Sequence, residues 1–158
     1  DKMKLIHDHT AYPEPHELMP LGEGRVYEAS SDDQLTIVTY GNGLWMSLRV
    51  QKRLRERGVK ARVFDLRWLM PLPIEQIKEH VAATGRCLVV DECRNMHGGP
   101  SPMILTELCQ DPELAHCVLR RVAAVDTYVP LAAAANLVLV QEPDIENAAL
   151  QMCEQPVR

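Results

Sequence analysis

Aromatic residues are scarce in this chain, which has one Phe, two Trp and four Tyr among 158 residues. The core must therefore be built from aliphatic side chains. Long apolar runs are also missing, so we expect no membrane span, and the start of the chain does not resemble a secretory leader. Basic residues are not in excess, since 17 Lys and Arg stand against 22 Asp and Glu, which disfavours nucleic acid as the main partner. The length predicts one domain.

The cysteines form no paired CxxC motif, and their number is odd. They are spread over the chain at Cys87, Cys93, Cys109, Cys117 and Cys153. This usage favours reduced cysteines in a cytoplasmic protein over a disulfide framework. Asp91, Glu92, Cys93 and His97 supply metal-ligand types, but they lack the second pair that a structural zinc site needs. A strand end followed by a polar loop is the favoured interpretation, and we predict no metal site.

The first 22 residues differ from the rest, because they carry three prolines and three histidines without a sustained period. They are interpreted as an interdomain linker or arm, and residues 23–158 as the folded domain. His7, His9 and His16 could ligate a metal. No nearby Cys or carboxylate pattern completes such a site, so solvated histidines are favoured.

From residue 24 onward, short β-branched runs alternate with helical patterns. Strands are predicted at about 25–29, 35–40, 61–66, 87–91 and 118–123, the fourth being apolar enough for the centre of a parallel sheet. The short segment 30–33 suggests a hairpin, which would make the first two strands antiparallel neighbours. Alternation of strands and helices predicts a three-layer α/β/α sandwich with a mostly parallel sheet.

Four helices complete the predicted fold, each with an apolar stripe. The first runs from the Gly41 turn to about residue 57 and ends at Gly58; the second ends at Gly85. The third follows the loop 97–102, and the last begins near Asp144 as its N-cap. The residues expected to face inward are Met46, Val50 and Leu54, then Ile74, Ile77 and Val81, then Ile104, Leu105 and Leu108, then Ile145, Ala149 and Met152.

The turn Gly41-Asn42-Gly43 follows a strand and opens a helix, so its amides could hold an anion. It lacks the third glycine of the dinucleotide fingerprint, and no GxxxxGK[ST] motif occurs in the chain. A tight strand-to-helix turn is therefore favoured over a phosphate cradle.

A pair of acids, Asp91 and Glu92, ends the next strand, and Asp126 follows the last one. Acid–base chemistry is one interpretation of the pair, and helix capping or acceptance from loop amides is the favoured one. No nucleophile stands in a recognisable setting. The same loop carries further candidates for a binding edge, namely Arg94, His97, Gly98 and Gly99.

A basic run lies along the first helix and beyond it, with Glu56 as its single acid. It comprises Arg49, Lys52, Arg53, Arg55, Arg57, Lys60 and Arg62. Stacking aromatics are missing from its centre, so a solvated or partner-facing helix surface is favoured over nucleic-acid contact.

Three blocks of sequence resemble the C-terminal, transketolase-type domain of thiamine-diphosphate-dependent 2-oxo acid dehydrogenase E1 β subunits. They are residues 36–41 (TIVTYG), 63–73 (VFDLRWLMPLP) and 84–92 (TGRCLVVDE), with Gly98-Gly99 after them. Their order and spacing match over roughly residues 13–149. The stretch 40–48 (YGNGLWMSL) is most similar to E1 enzymes in which α and β parts are fused.

The resemblance implies a five-stranded sheet of order 1-3-2-4-5 whose first strand is antiparallel. It also implies a domain that is not catalytic alone: thiamine diphosphate and magnesium belong to the preceding domains, so no cofactor or catalytic residue is expected here. Expected partners are other E1 domains or subunits, a second copy, and the E2 lipoyl acyltransferase, with Asp91, Glu92, Gly98 and Gly99 at the edge of an interface loop. A free-standing dimerisation module, or an anion- or nucleotide-binding module, is the alternative.

Overall fold

The computed structural model describes residues 18–96 and 98–154. Within them the strands are β1 (Arg25–Tyr27), β2 (Leu35–Thr39), β3 (Ala61–Asp65), β4 (Arg86–Arg94) and β5 (Val118–Ala124). The helices are α1 (Asn42–Glu56), α2 (Ile74–Thr84), α3 (Ser101–Gln110) and α4 (Glu142–Cys153), with short 3₁₀ helices at Pro112–Leu114 and Ala132–Leu137. Neither 3₁₀ helix was expected from the sequence.

The strands form one sheet of order β1-β3-β2-β4-β5. β2, β3, β4 and β5 are parallel, and β1 runs antiparallel to β3. The implied topology and the three-layer α/β/α class are thus confirmed. The hairpin prediction is wrong in its pairing, because β1 bonds to β3 rather than to β2. Its direction is right, since β1 is antiparallel to the rest.

Packing on the two faces of the sheet follows the alternation of side chains along the strands. In β4, Leu88 and Val90 join the cluster under α1 and α4, whereas Cys87 and Val89 join the cluster under α2 and α3. The single Phe, Phe64, is 1% exposed in the second cluster. The aliphatic core expected from the composition is therefore divided into two layers by the sheet.

Most of the residues predicted to face inward are buried, including the stripe of Met46, Val50 and Leu54 on α1. Gly85, which was predicted to end α2, has a φ of 70° there, the left-handed conformation in which glycine often ends a helix. Ile74 and Leu105 are only partly buried.

The starts of the last two helices differ from the prediction. α3 begins at Ser101, inside the predicted loop 97–102, with Pro102 tolerated in its first turn. The N-cap of α4 is Gln141, not Asp144. Asp144 instead accepts a hydrogen bond from the Gln141 amide at 2.9 Å, so it closes a reciprocal capping box one turn into the helix.

Candidate functional site

Asp91 lies at the carboxyl end of β4 and is 1% exposed. Its Oδ1 accepts from the Tyr40 hydroxyl at 2.7 Å and from the Cys93 amide at 2.9 Å. Its Oδ2 accepts from the Ser101 amide at 3.1 Å. Ser101 is the first residue of α3, where a negative charge is favoured by the helix dipole. The carboxylate of Asp91 therefore holds the end of β2 and the start of α3 together.

These contacts fix the charges of the network. Burial on its own would raise the pKa of Asp91, but hydrogen bonds from Ser101, Tyr40 and the Cys93 amide outweigh it and lower the pKa below its usual value. Burial, together with the Asp91 carboxylate, raises the pKa of Tyr40 far above its usual value. At neutral pH Asp91 is thus ionised and Tyr40 is protonated, and neither changes its charge near pH 7.

Glu92 occupies the amino end of α1 in a comparable way. Its Oε1 accepts from the Gly43 amide at 2.7 Å. Gly41 has a φ of 56°, and a Cβ there would lie 3.1 Å from the same carboxylate oxygen. Beneath the turn, the Thr39 hydroxyl donates to the Val90 carbonyl at 3.1 Å. The Gly41-Asn42-Gly43 turn is therefore closed by a carboxylate of this chain, as the tight-turn interpretation requires.

The predicted site residues divide into two groups. Gly41, Gly43, Asp91, Glu92 and Gly99 come together at the carboxyl ends of β2 and β4. The others stand apart from this network: Asn42, Gly98 and Asp126 are exposed, Arg94 is exposed with its guanidinium 5.2 Å from the centre of the Tyr128 ring, and His97 lies outside the described residues.

Exposed apolar residues concentrate at one edge of the sheet, where β2 to β5 end and β1 begins; we call it the carboxyl edge. All the large hydrophobic residues found exposed in the described chain belong to segments or first helical turns at this edge. They are Leu18, Leu21, Trp45, Leu69, Met70, Met96, Met103, Val125, Tyr128, Val129, Leu131 and Leu137. Exposed apolar residues gathered in this way are typical of interaction surfaces.

The basic run along α1 is largely matched by acids of the same chain. Arg53 bonds to both Glu142 and Glu146 of α4 at 2.7 Å, and Arg49 and Arg57 flank it on the same two glutamates. Further along, Arg55 pairs with Glu28, Lys60 with Asp32 and Arg62 with Asp33. This helix surface is solvated, as expected, with Arg49, Arg55 and Arg57 about half exposed. Its charges are also paired in an ionic seam within the domain, which leaves little free positive charge for a nucleic acid.

Comparison with known proteins places this geometry in a family. The model of the transketolase C-terminal domain matches residues 24–145, which is more than half of the chain. The chain belongs to the transketolase C-terminal domain family. It is 30% identical over 143 residues to the pyruvate dehydrogenase E1 component subunit beta of Staphylococcus aureus, and 32% identical over 143 residues to that of Bacillus subtilis. Each match covers 90% of this chain and 43% of the relative.

Solved structures agree on the fold of this transketolase C-terminal domain. A split-gene transketolase matches with a TM-score of 0.76 at 22% identity, covering 89% of this chain and 45% of the other. A 2-oxoglutarate:ferredoxin oxidoreductase from Magnetococcus marinus matches with a TM-score of 0.59 at 15% identity, covering 83% and 20%. The chain thus spans less than half the length of the curated relatives that it matches.

Within the described residues, the surroundings of the acid pair do not suit a metal–diphosphate group. Within residues 18–96 and 98–154, no three His, Cys, Asp or Glu side chains converge to hold a metal ion. The two helix N-termini near the acid pair already receive the carboxylates of Asp91 and Glu92. These residues do not fit a thiamine diphosphate site. Over the same residues, no helix is long and apolar enough to cross a membrane.

The sequence did not predict two of the residues that bond to Asp91, namely Tyr40 and Ser101. Tyr40 lies between the end of β2 and Gly41, so the sequence placed it at the correct edge without showing that its hydroxyl reaches β4. Ser101 lies in the predicted loop 97–102, between two prolines, and that position does not show that its amide meets Asp91. Pairings of this kind join distant parts of the chain, so local sequence patterns do not reveal them.

Proposed function

We propose that this chain is the C-terminal domain of a 2-oxo acid dehydrogenase E1 component and that its role is assembly. In this proposal the whole enzyme uses thiamine diphosphate and magnesium to decarboxylate a 2-oxo acid and passes the acyl group to a lipoyl-bearing E2. The domain contacts other E1 domains or subunits, a second copy of itself, and E2. The similarity to the beta subunits of two pyruvate dehydrogenase E1 components supports this choice over other transketolase relatives.

The single observation that carries the assembly role is the one-sided distribution of exposed apolar residues. Tyr128 is 86% exposed and Leu131 is 91% exposed, and both follow β5 at the carboxyl edge. The opposite edge, where the parallel strands begin, presents polar residues such as Asp32, Lys60 and Asp111. Exposed apolar side chains on one edge favour association, because their burial against a partner stabilises the complex by about 25 cal/mol per Å².

The acid pair supports the same conclusion. The carboxylates of Asp91 and Glu92 accept hydrogen bonds from helix amides, which supports a structural role over that of a general acid and base. Decarboxylation of a 2-oxo acid also requires an electron sink for the carbanion, and the described residues do not fit the cofactor that would supply one. We therefore assign catalysis to parts of the enzyme outside this chain.

The split-gene transketolase that shares this fold is described as an inactive β4 tetramer. Such a tetramer is consistent with a chain of this type associating with copies of itself. The alternative, an anion- or nucleotide-binding module at Gly41-Asn42-Gly43, is disfavoured because Glu92 would repel an anion from the Gly43 amide.

Calorimetry separates these functions. The full chain is titrated with thiamine diphosphate plus Mg²⁺ and, in a second series, with ATP plus Mg²⁺. The assembly proposal expects heat from neither. Micromolar binding of thiamine diphosphate would contradict the proposal that the cofactor site lies elsewhere, and binding of ATP that Asn42→Ala weakens would favour the alternative module.

A further inference from the structure

The two lateral edges of the sheet differ in length and exposure. β1 ends one side with three residues, whereas β5 ends the other with seven. In an edge strand, alternate amides and carbonyls point away from the one neighbouring strand. From Leu119 to Ala123, in the part of the chain that the structure describes, no backbone hydrogen bond reaches a residue outside β4. β5 thus carries a free row of backbone donors and acceptors.

A cleft of about 610 Å³ opens beside the second half of this edge. One wall is β5 from Arg121 to Ala123, and the other is the segment 136–141. The walls converge where the Val125 amide donates to the Val138 carbonyl at 2.9 Å. A volume of this size is within the range of about 300–1,000 Å³ typical of ligand sites.

Most of the polar side chains that line this cleft have unused donors. The side chains of Arg121, Asn95 and Asn136 make no hydrogen bond or ion pair to any residue in the described ranges. The lining acid, Asp144, is engaged by the Gln141 amide. Arg121 is half-buried, and its neighbour Arg120 contacts only the neutral Gln151 among the described side chains. This is a marked contrast with α1, whose arginines are matched by glutamates.

We propose that the free edge of β5 and its cleft bind an acidic, extended peptide segment of a partner protein by strand addition. Backbone groups of the segment would pair with β5, and a carboxylate of the segment would bond to the Arg121 guanidinium and the neighbouring amides. This surface is the lateral edge of the sheet, and it meets the assembly surface of the carboxyl edge at Val125 and Leu137, which line the cleft.

Charge decides between this occupant and a second copy of the chain. If two copies joined through β5 about a two-fold axis, Arg120 and Arg121 of one strand would lie close to the same residues of the other. Like charges across neighbouring strands are destabilising. An acidic segment removes that repulsion and satisfies the donors of the cleft.

Titration of the isotope-labelled full chain, followed by amide NMR, tests the proposal. The probe is a short peptide of alternating glutamate and valine. Three matched probes are its glutamine counterpart, the glutamate peptide with a central proline, and succinate. We expect shift changes in β5 and in 136–141, with binding about tenfold weaker for the glutamine peptide and lost with the proline peptide. Succinate, which cannot pair with the strand, should bind more weakly than the glutamate peptide.

Substitution of Arg121 provides a second test of the proposal. Arg121→Gln should weaken binding of the glutamate peptide by about tenfold, whereas Arg55→Gln, which removes an exposed arginine paired with Glu28, should leave it unchanged. If Arg121→Gln does not fold, the salt dependence of glutamate-peptide binding to the unaltered chain provides the test. The affinity for the peptide should then fall as ionic strength rises.

Several outcomes would overturn the proposal. Shift changes absent from β5, or equal binding of the proline peptide, would exclude strand addition. Equal affinity for succinate would indicate a small-carboxylate site instead. Binding that appears only after residues 1–17 are removed would show that the chain's own first segment is the occupant. Self-association through β5 without any peptide would make a second copy the occupant.

Discussion

The carboxylate of Asp91 packs directly against Gly99, so closely that a Cβ on Gly99 would overlap its oxygens. Gly99 also has a φ of 74°, in the region that side chains disfavour. The loop after β4 can pass over the buried acid only because this residue is glycine. The neighbouring Gly98 has a similar φ of 84° but open space around its Cα.

This difference predicts the effect of alanine at each glycine. Gly98→Ala should lower the free energy of unfolding by about 1–2 kcal/mol, because alanine disfavours this left-handed backbone conformation. Gly99→Ala also displaces the buried, hydrogen-bonded carboxylate of Asp91, so it should lower the free energy of unfolding by about 2–4 kcal/mol in total. Urea unfolding of the two variants measures the comparison. Equal losses at the two positions would contradict the contact with Asp91.

Asp91→Asn should destabilise the domain by about 1–3 kcal/mol, because asparagine has a single acceptor oxygen and either the Ser101 amide or the Tyr40 hydroxyl would lose its acceptor. The folded pKa of Asp91 lies below its unfolded value, so its stabilisation is present above about pH 4 and is lost as the pH falls through the folded pKa. The difference between the two proteins in unfolding free energy should therefore shrink below about pH 4. Glu56→Gln, at an exposed position, serves as the control, and a difference that grows on acidification would exclude this account.

The sequence predicts the helices and parallel strands well because their signals are local. The stripe of Met46, Val50 and Leu54 and the apolar run of β4 each reveal a buried face without knowledge of the neighbours. The place of β1 could not be obtained in this way. β1 pairs with β3, which lies about forty residues further along the chain. Gly24, directly before β1, lies against the ring of Phe64, and a Cβ at this position would overlap the ring.

The candidate site shows the same limit. Two acids at the end of a buried strand predict where polar contacts gather, and that location is right. Which donors each carboxylate meets depends on how α1 and α3 are placed by the core, so the roles of Tyr40 and Ser101 were not predicted. The ionic seam between α1 and α4 could not be predicted from the basic run either, because its acids, Glu142 and Glu146, lie far along the chain.

Arg62 forms the most buried ion pair of the basic run. Its Nε donates to Asp33 at 3.0 Å, with the two side chains 8% and 3% exposed, and its guanidinium also donates to the Ser30 carbonyl. Arg62→Met leaves the Asp33 carboxylate without its cation and should cost about 3–5 kcal/mol. The double variant with Asp33→Ala should lose less than the sum of the two single variants. Additive losses in urea unfolding would argue against direct pairing.

His80 should give the domain a stability change near neutral pH. Burial and the positive charge of Arg62 lower the pKa of His80 below its ordinary value. The unfolded chain therefore binds a proton first, and the contribution of neutral His80 is present above about pH 6.5 and is lost as the pH falls. His80→Gln should flatten the slope of unfolding free energy between about pH 6.5 and pH 5. An unchanged slope relative to the unaltered protein would exclude His80 as its source.

Sedimentation velocity over a concentration series tests the central claim, that the carboxyl edge is an assembly surface. The chain should associate as concentration rises. Leu131→Glu, at an exposed apolar position of that edge, should weaken association by at least about tenfold, since it places a charge in an apolar contact. Glu113→Lys, at an exposed position of the opposite edge, should leave it unchanged. A chain that stays monomeric throughout, or whose association responds equally to both substitutions, would contradict the account.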